Sequence, residues 1–187
     1  AVAKKYAGIG ASLVAHIKNT RTPFSIDFGV GDVIVPKQEK RKIPTQLDDF
    51  TSPTVNTYSL ETTIAEKLDA ILDLMEFSSR MKDYYDIYYL ANKFDFDGAT
   101  LAEALKKTFE NRGHSFTIEQ FEQVMGFDND GAMQKKWKAF THKIDTKTDD
   151  FSKVIETINL FLAEPFKAAA ENTKFTAKWS AKDSEWK

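Results

Sequence analysis

The chain has 187 residues, 42% of them hydrophobic, with 24 aromatics of which 15 are phenylalanine, enough apolar surface for one domain or two small ones. Cysteine is absent, which excludes disulfides, cysteine zinc sites and thiol nucleophiles and fits a reducing, cytoplasmic compartment; His16, His114 and His142 are too scattered to form a ligand pair one helical turn apart. The net charge of −2 averages unlike parts: 8 Lys and Arg against 5 Asp and Glu over residues 1–58, 7 against 15 over 59–130, and 11 against 8 over 131–187. A polynucleotide partner would therefore have to touch the ends of the chain rather than its acidic middle.

The opening AVAKKYAGIG has no apolar core of the signal-peptide kind, and no apolar run nears the roughly 18 residues of a bilayer span, so a soluble protein with no membrane partner is predicted. ASLVAHIK and PFSIDFGV alternate and are rich in β-branched and aromatic residues, and the intervening NTRTP supplies turn residues, so the two segments predict a β-hairpin. DVIVP, ending at Pro36, would extend it or add a strand. Residues 37–53, bracketed by Pro44 and Pro53, read as a loop, and Thr54 to Tyr58 as one more short strand.

From Ser59 the periodicity becomes helical. With Leu60 at 0° on a wheel of about 100° per residue, Ile71, Ile64, Met75, Leu68 and Leu72 fall between about 20° and 120°, and Leu74 falls near 320°. Ser59 is the expected N-cap and Glu61 the first-turn acid of a helix running to about Phe77. Further helices are predicted from about Ser79 to Asn92, from Ala99 to Arg112 with Gly113 as the stop, around Thr117 to Met125, and around Ala132 to His142. A longer one begins near Asp150, interrupted by Pro165 and resumed by KAAAEN. The tail shows no clear period, and Trp137, Trp179 and Trp186 are expected as packing anchors. The fold class is α+β: a β-rich part over 1–58 followed by a mainly α-helical bundle over 59–187.

Lys67 breaks the apolar pattern of its helix. At about 340° it projects between Leu74 and Leu60, where its stem either covers core with the charge reaching water or the ammonium meets an anion. In the next helix Asp83 and Asp86 are three residues apart, flanked by Ile87 and Leu90 at helical spacing, with Arg80 and Lys82 close by. Consecutive helices joined by a short link pack side by side, so Lys67 and these carboxylates can meet at the seam. Such a set is either a structural ion-pair network or a charge cluster facing a polyphosphate. In FSIDF, alternation sets Ile26 and Phe28 on one face and Asp27 on the other, which makes Asp27 an ordinary half-exposed residue or a metal-ligand candidate. Arg112 pairs with Glu110 or with a phosphate. The tyrosines Tyr84, Tyr85, Tyr88 and Tyr89 fit core and helix seam better than a base-stacking surface. No glycine-rich phosphate loop, HExxH, GxSxG or EF-hand pattern occurs.

The ordered set Glu61, Ala65-Glu66-Lys67-Leu68, Ser79-Arg80-Met81-Lys82-Asp83 and Asp86, with FSIDFGVGD upstream, resembles the AbiEii/AbiGii-type nucleotidyltransferase toxins of abortive-infection and type IV toxin–antitoxin systems, over roughly Gly8 to Arg112. The resemblance implies a nucleotidyltransferase-like sheet region followed by helices, transferring nucleotides from an NTP with Mg²⁺ to an acceptor such as tRNA, and a cognate antitoxin as partner. It implies Asp27 as a metal carboxylate, Lys67 near the NTP phosphates with Arg80 and Lys82 beside it, and Asp83, backed by Asp86, as the carboxylate that orients or activates the acceptor. The glycine-serine turn followed by paired acidic residues that such enzymes carry is missing, since Gly8-Ile9-Gly10-Ala11-Ser12 leads to no Asp pair. On that basis the chain is expected to lack the first strands of the catalytic domain, to expose a sheet edge, and to be inactive by itself. The alternative is a non-catalytic helical interaction module in which Lys67, Asp83 and Asp86 form a structural network.

Overall fold

A computed structural model describes residues 8–144 and 148–187. The chain separates into two compact units, residues 1–33 and 34–187. The expectation for AVAKKYAGIG concerns mainly residues 1–7, which lie outside the described residues.

The first unit is the expected hairpin. Strands β1 (Gly8–Ile17) and β2 (Thr20–Gly29) pair antiparallel in unbroken register, from Ile17 opposite Thr20 to Gly8 opposite Gly29. The turn is tighter than NTRTP suggested: Lys18 and Asn19 alone make it, with Lys18 at φ 53°. Because cross-strand partners share a face, Ile9, Leu13, Phe24, Ile26 and Phe28 line one side and remain exposed, while Ser12, Ser25, Asp27, His16 and Arg21 line the other.

In the second unit DVIVP forms no strand, contrary to expectation. The backbone of Val35 is satisfied by side chains instead. The Val35 N–H donates to Thr62 Oγ1 at 2.8 Å, and the Val35 carbonyl accepts from the hydroxyls of Ser59 and Thr62. The same Ser59 caps the first helix, accepting from Thr62 N at 3.1 Å, so one polar knot both starts the helix and pins the segment before it. The stretch read as a loop contains a short strand, β3 (Glu39–Lys42), which pairs antiparallel with β4 (Thr54–Thr57). EKRK has no apolar member to alternate, so nothing in its pattern marks it as a strand.

Six α-helices follow among the described residues: α1 (Leu60–Leu74), α2 (Met81–Lys93), α3 (Gly98–Arg112), α4 (Ile118–Met125), α5 (Gly131–Ile144) and α6 (Phe151–Glu171). A 3₁₀ turn, Met75–Phe77, ends α1. Asp97 caps α3, a Thr117–Gln120 capping box starts α4, and Gly113, at φ 67°, closes α3 in the left-handed conformation that glycine adopts without strain. Helix α6 is the hub, packing on α2, α3, α4 and α5. Ile64, Leu68, Tyr84, Ile87, Leu101, Leu105, Ile158 and Leu162 are fully buried around it.

Pro165 does not interrupt α6, which runs unbroken for 21 residues. A proline at this position withdraws the N–H that Phe161 O would have received. The indole of Trp186 donates to that carbonyl at 3.1 Å, so the orphaned acceptor is filled from the carboxy-terminal tail. The tail is itself ordered: β6 (Lys178–Ser180) pairs with β5 (Phe96–Asp97) and with β7 (Glu185–Trp186), making a small antiparallel sheet of order β5-β6-β7. Trp179 is buried, donates to Ala91 O at 2.7 Å and packs on Phe161 with ring centroids 5.0 Å apart. Gly98 lets this tail approach α3, since a Cβ there would lie 2.6 Å from the Phe175 ring and 2.7 Å from Ala177 O. The α+β class holds, with the strands distributed over three small sheets rather than confined to the first third.

Candidate functional site

The α1–α2 seam brings together the five residues Lys67, Arg80, Lys82, Asp83 and Asp86 singled out from the sequence. Helix α1 directs Lys67 from within its apolar stripe toward α2, and α2 answers with Asp83 and Asp86 one turn apart. Lys67 Nζ lies 3.0 Å from Asp83 Oδ1 and 2.6 Å from Asp86 Oδ2. Arg80 Nε approaches Asp83 Oδ2 at 2.6 Å and Lys82 Nζ reaches Asp86 Oδ2 at 2.5 Å. The Arg80 N–H does not aim along its contact, so Asp83 Oδ2 receives charge but no aligned hydrogen bond. The ammonium of Lys67 thus bridges two carboxylates, each of which also holds a second cation.

Burial grades across this set. Only 5% of the Asp83 side chain and 19% of the Lys67 side chain are exposed, against 57% for Arg80 and 71% for Lys82. Burial disfavours charge on Lys67, but hydrogen bonds to Asp86 and Asp83 and their negative charge outweigh it, holding its pKa above the ordinary 10.5. Lys67 is therefore a fixed, charged cation, with two more cations on the solvent side. Beneath them Tyr84 is fully buried edge-on to Phe151, and burial together with the charge of Asp83 pushes its phenol well above the usual range.

Asp27 lies in the hairpin unit, opposite Gly10 in the register, so no carboxylate faces it across the strands. Among the described residues no three His, Asp or Glu side chains gather as a metal-binding group. Asp27 by itself does not complete a divalent-cation site.

Sequence reasoning missed a second charge cluster. Asp69 on α1, only 1% exposed, accepts from Arg112 at 3.0 Å and lies 2.8 Å from His114 Nδ1. Arg112 also pairs with Glu66, and His114 Nε2 lies 3.7 Å from Asp73. Arg112 thus meets carboxylates of α1, whereas Glu110 lies near Lys106 and Lys107 at 3.8 and 3.7 Å. Burial raises the Asp69 pKa, with His114 pulling against it. The signal that could have found it was the 3-then-4 spacing of Glu66, Asp69 and Asp73 on one stripe of α1, matched by the single Arg and His around Gly113.

The model of the nucleotidyl transferase AbiEii toxin family of type IV toxin–antitoxin systems matches residues 2–172. The chain belongs to this family. The match takes in the hairpin, both charge clusters and the whole of α6, leaving the Trp179–Trp186 sheet beyond it. At family level an AbiEii protein is a nucleotidyltransferase-like toxin with a nucleotide substrate and a cognate antitoxin. No curated protein and no solved structure matches the chain. Among the described residues no helix of this AbiEii member is long and apolar enough to cross a membrane.

Proposed function

We propose that the protein acts in an AbiEii-type toxin that moves a nucleotide from an NTP to an RNA acceptor such as tRNA, with the α1–α2 seam as the phosphate-facing side of the site. The observation that carries this reading is the half-buried, doubly held ammonium of Lys67 with two solvent-reaching cations beside it. Phosphoryl transfer is governed by positioning and by stabilisation of charge on the phosphate oxygens, which such a cluster supplies. Asp83 and Asp86 fix the Lys67 ammonium in place. Arg80 and Lys82, whose charged ends rest on Asp83 and Asp86 at the solvent side, would exchange those carboxylates for the oxygens of a triphosphate. Asp86, the more accessible carboxylate, can accept a proton from an acceptor hydroxyl, with Asp83 orienting the set. Mg²⁺, when bound, would offset charge on the phosphates. Asp27 is the residue of the hairpin unit that would supply a carboxylate to a metal, and no second carboxylate faces it across the strands.

Incorporation of labelled NTP into tRNA by the full-length gene product tests the reading. Lys67→Met should lower incorporation at least about 100-fold while circular dichroism shows the variant folded at the assay temperature. Undiminished incorporation by Lys67→Met overturns it. The non-catalytic alternative is favoured by one observation, that Lys67, Arg80, Lys82, Asp83 and Asp86 already satisfy one another. It predicts that the full-length gene product incorporates no nucleotide at all and that the variants change only the melting temperature.

A further inference from the structure

One face of α2 continues outward from the charge cluster as a stripe of side chains. Lys82, Tyr85, Tyr89 and Lys93 fall at successive helical spacings of three and four. The Tyr85 and Tyr89 rings lie nearly parallel, 25° apart in plane with centroids 6.3 Å apart, and Tyr89 is 48% exposed. Phe140 of α5 extends the aromatic row, 5.9 Å from Tyr85 and 5.5 Å from Trp137. Helix α5 carries Lys135, Lys136, Lys138, Lys143 and His142 without a single acidic residue. Lys143, one turn beyond Phe140, is exposed. Aromatic faces therefore coincide along this row with the lysines of α5, which no acid of that helix opposes, and with Lys93 at the end of α2.

The neighbouring surface is concave. A hollow of about 460 Å³ is bounded by Tyr85, Tyr88, Tyr89, Thr148 and Asp149, and a second meets it at Thr148 and Asp149 and continues past Trp137 and Lys138. Thr148 Oγ1 is buried there with no hydrogen-bond partner among the described residues. The nearby acids are engaged: Asp149 accepts from the Tyr88 hydroxyl at 2.5 Å, and Asp86 from Lys67 and Lys82.

We infer that the Tyr85–Tyr89–Phe140 row with Lys93 and Lys143 is a binding platform for single-stranded RNA, leading the acceptor strand toward Lys67. Stacking on tyrosine is available to any base, and flanking lysines track the phosphates. A protein partner would not need flat rings spaced along a lysine stripe, and a duplex cannot present its base faces to them. The role of the bound strand as acceptor rests on the nucleotidyltransferase reading above; its binding does not.

The test is fluorescence anisotropy of a fluorescein-labelled single-stranded RNA of mixed sequence, titrated with the full chain at low salt and without NTP. Tyr89→Ala should weaken binding about 10-fold and Tyr89→Phe leave it within about 2-fold, since the ring and not the hydroxyl stacks. Lys93→Gln and Lys143→Gln should each make the affinity less sensitive to salt, the log–log slope falling by about 0.7 for every phosphate that the chain ceases to neutralise. Because Tyr89 is half exposed, its variants should melt with the parent. Equal affinities of parent and Tyr89→Ala, or equal binding of the RNA alone and annealed to its complement, overturn the platform. If the full-length gene product incorporates no nucleotide but Tyr89→Ala still loses RNA, the transfer reading fails and the platform stands.

Discussion

Helix α1 bears two charge clusters that look alike in composition and differ in design. Toward α2, a lysine is held between two aspartates whose outer cations, Arg80 and Lys82, stand largely in water. Toward the end of α3, an aspartate is held between an arginine and a histidine, and of its members only Asp73 stands in the open. Desolvation favours a closed cluster only when every charge finds a partner, and an open one keeps groups that a ligand can recruit. The difference fits the proposed division of labour, in which the Asp69 cluster ties α1 to the α3–α4 link and the Lys67 cluster faces the phosphates.

The sharpest way to break this comparison is Asp69→Ala. It removes the carboxylate between Arg112 and His114, leaving Arg112 on Glu66 and His114 near Asp73, and loss of one member of a buried charge cluster costs about 3–4 kcal/mol. For a chain of this size that lowers the melting temperature by roughly 10 °C. Nucleotide incorporation measured well below the melt should be retained. If incorporation vanished while the melt stayed put, the division of labour would be reversed.

Asp83→Ala comes next. Lys67 keeps Asp86 and Arg80 can turn to water, so the expected loss is about 2–3 kcal/mol, read as a smaller fall in the melt. Here incorporation should fall far more than stability accounts for. Asp83→Asn, which keeps the shape and a hydrogen bond from Lys67, separates the two effects: it should melt within a few degrees of the parent and still be impaired.

These two clusters also show where the sequence was legible. Lys67 could be found because it violates an apolar stripe, and Asp83 and Asp86 because they sit beside Ile87 and Leu90 on the next helix; both are short-range patterns. Asp69 could not. On the wheel it falls near 180°, opposite the apolar arc, where solvent is expected, and what buries it is the end of α3, 43 residues on. The fold divides the same way. The helices announce themselves through caps and periodicity, whereas β3 and the tail strands depend on partners far along the chain. Pro165 was expected to break α6 because the donor that compensates for it, the Trp186 indole, comes from the tail. DVIVP has the composition of a strand but spends its backbone hydrogen bonds on Ser59 and Thr62. Of the tyrosine set, Tyr84 lies in the core and Tyr89 at the surface.

The protonation of Lys67 offers a gentler probe. Its pKa is raised in the folded chain, so it binds its proton more tightly there than in the unfolded chain. The resulting stability is fully present below pH 10.5 and is lost as the pH climbs through the higher folded value. The difference in melting temperature between the parent and Lys67→Met should therefore be constant from about pH 7 to about pH 10 and shrink above about pH 10.5. A difference that shrank already near neutrality would mean that Lys67 loses its proton far more readily than its two carboxylates allow.

The smallest structural effect belongs to Lys82→Gln, and for that reason it sharpens the comparison most finely. The Lys82–Asp86 pair is exposed and spans one helical turn, an arrangement that stabilises by about 0.3–0.5 kcal/mol, and Asp86 retains Lys67 when Lys82 is gone. The melt should move by about 1 °C or less. If the outer cations wait for a triphosphate, the same change should raise the KM for NTP several-fold with kcat little altered, because an interaction made equally in the bound and transition states has been removed. A stability-silent, KM-raising residue is what an open cluster allows and a closed one does not. An unchanged KM would return Lys82 to the solvated surface and leave Lys67 and Arg80 as the phosphate-facing cations.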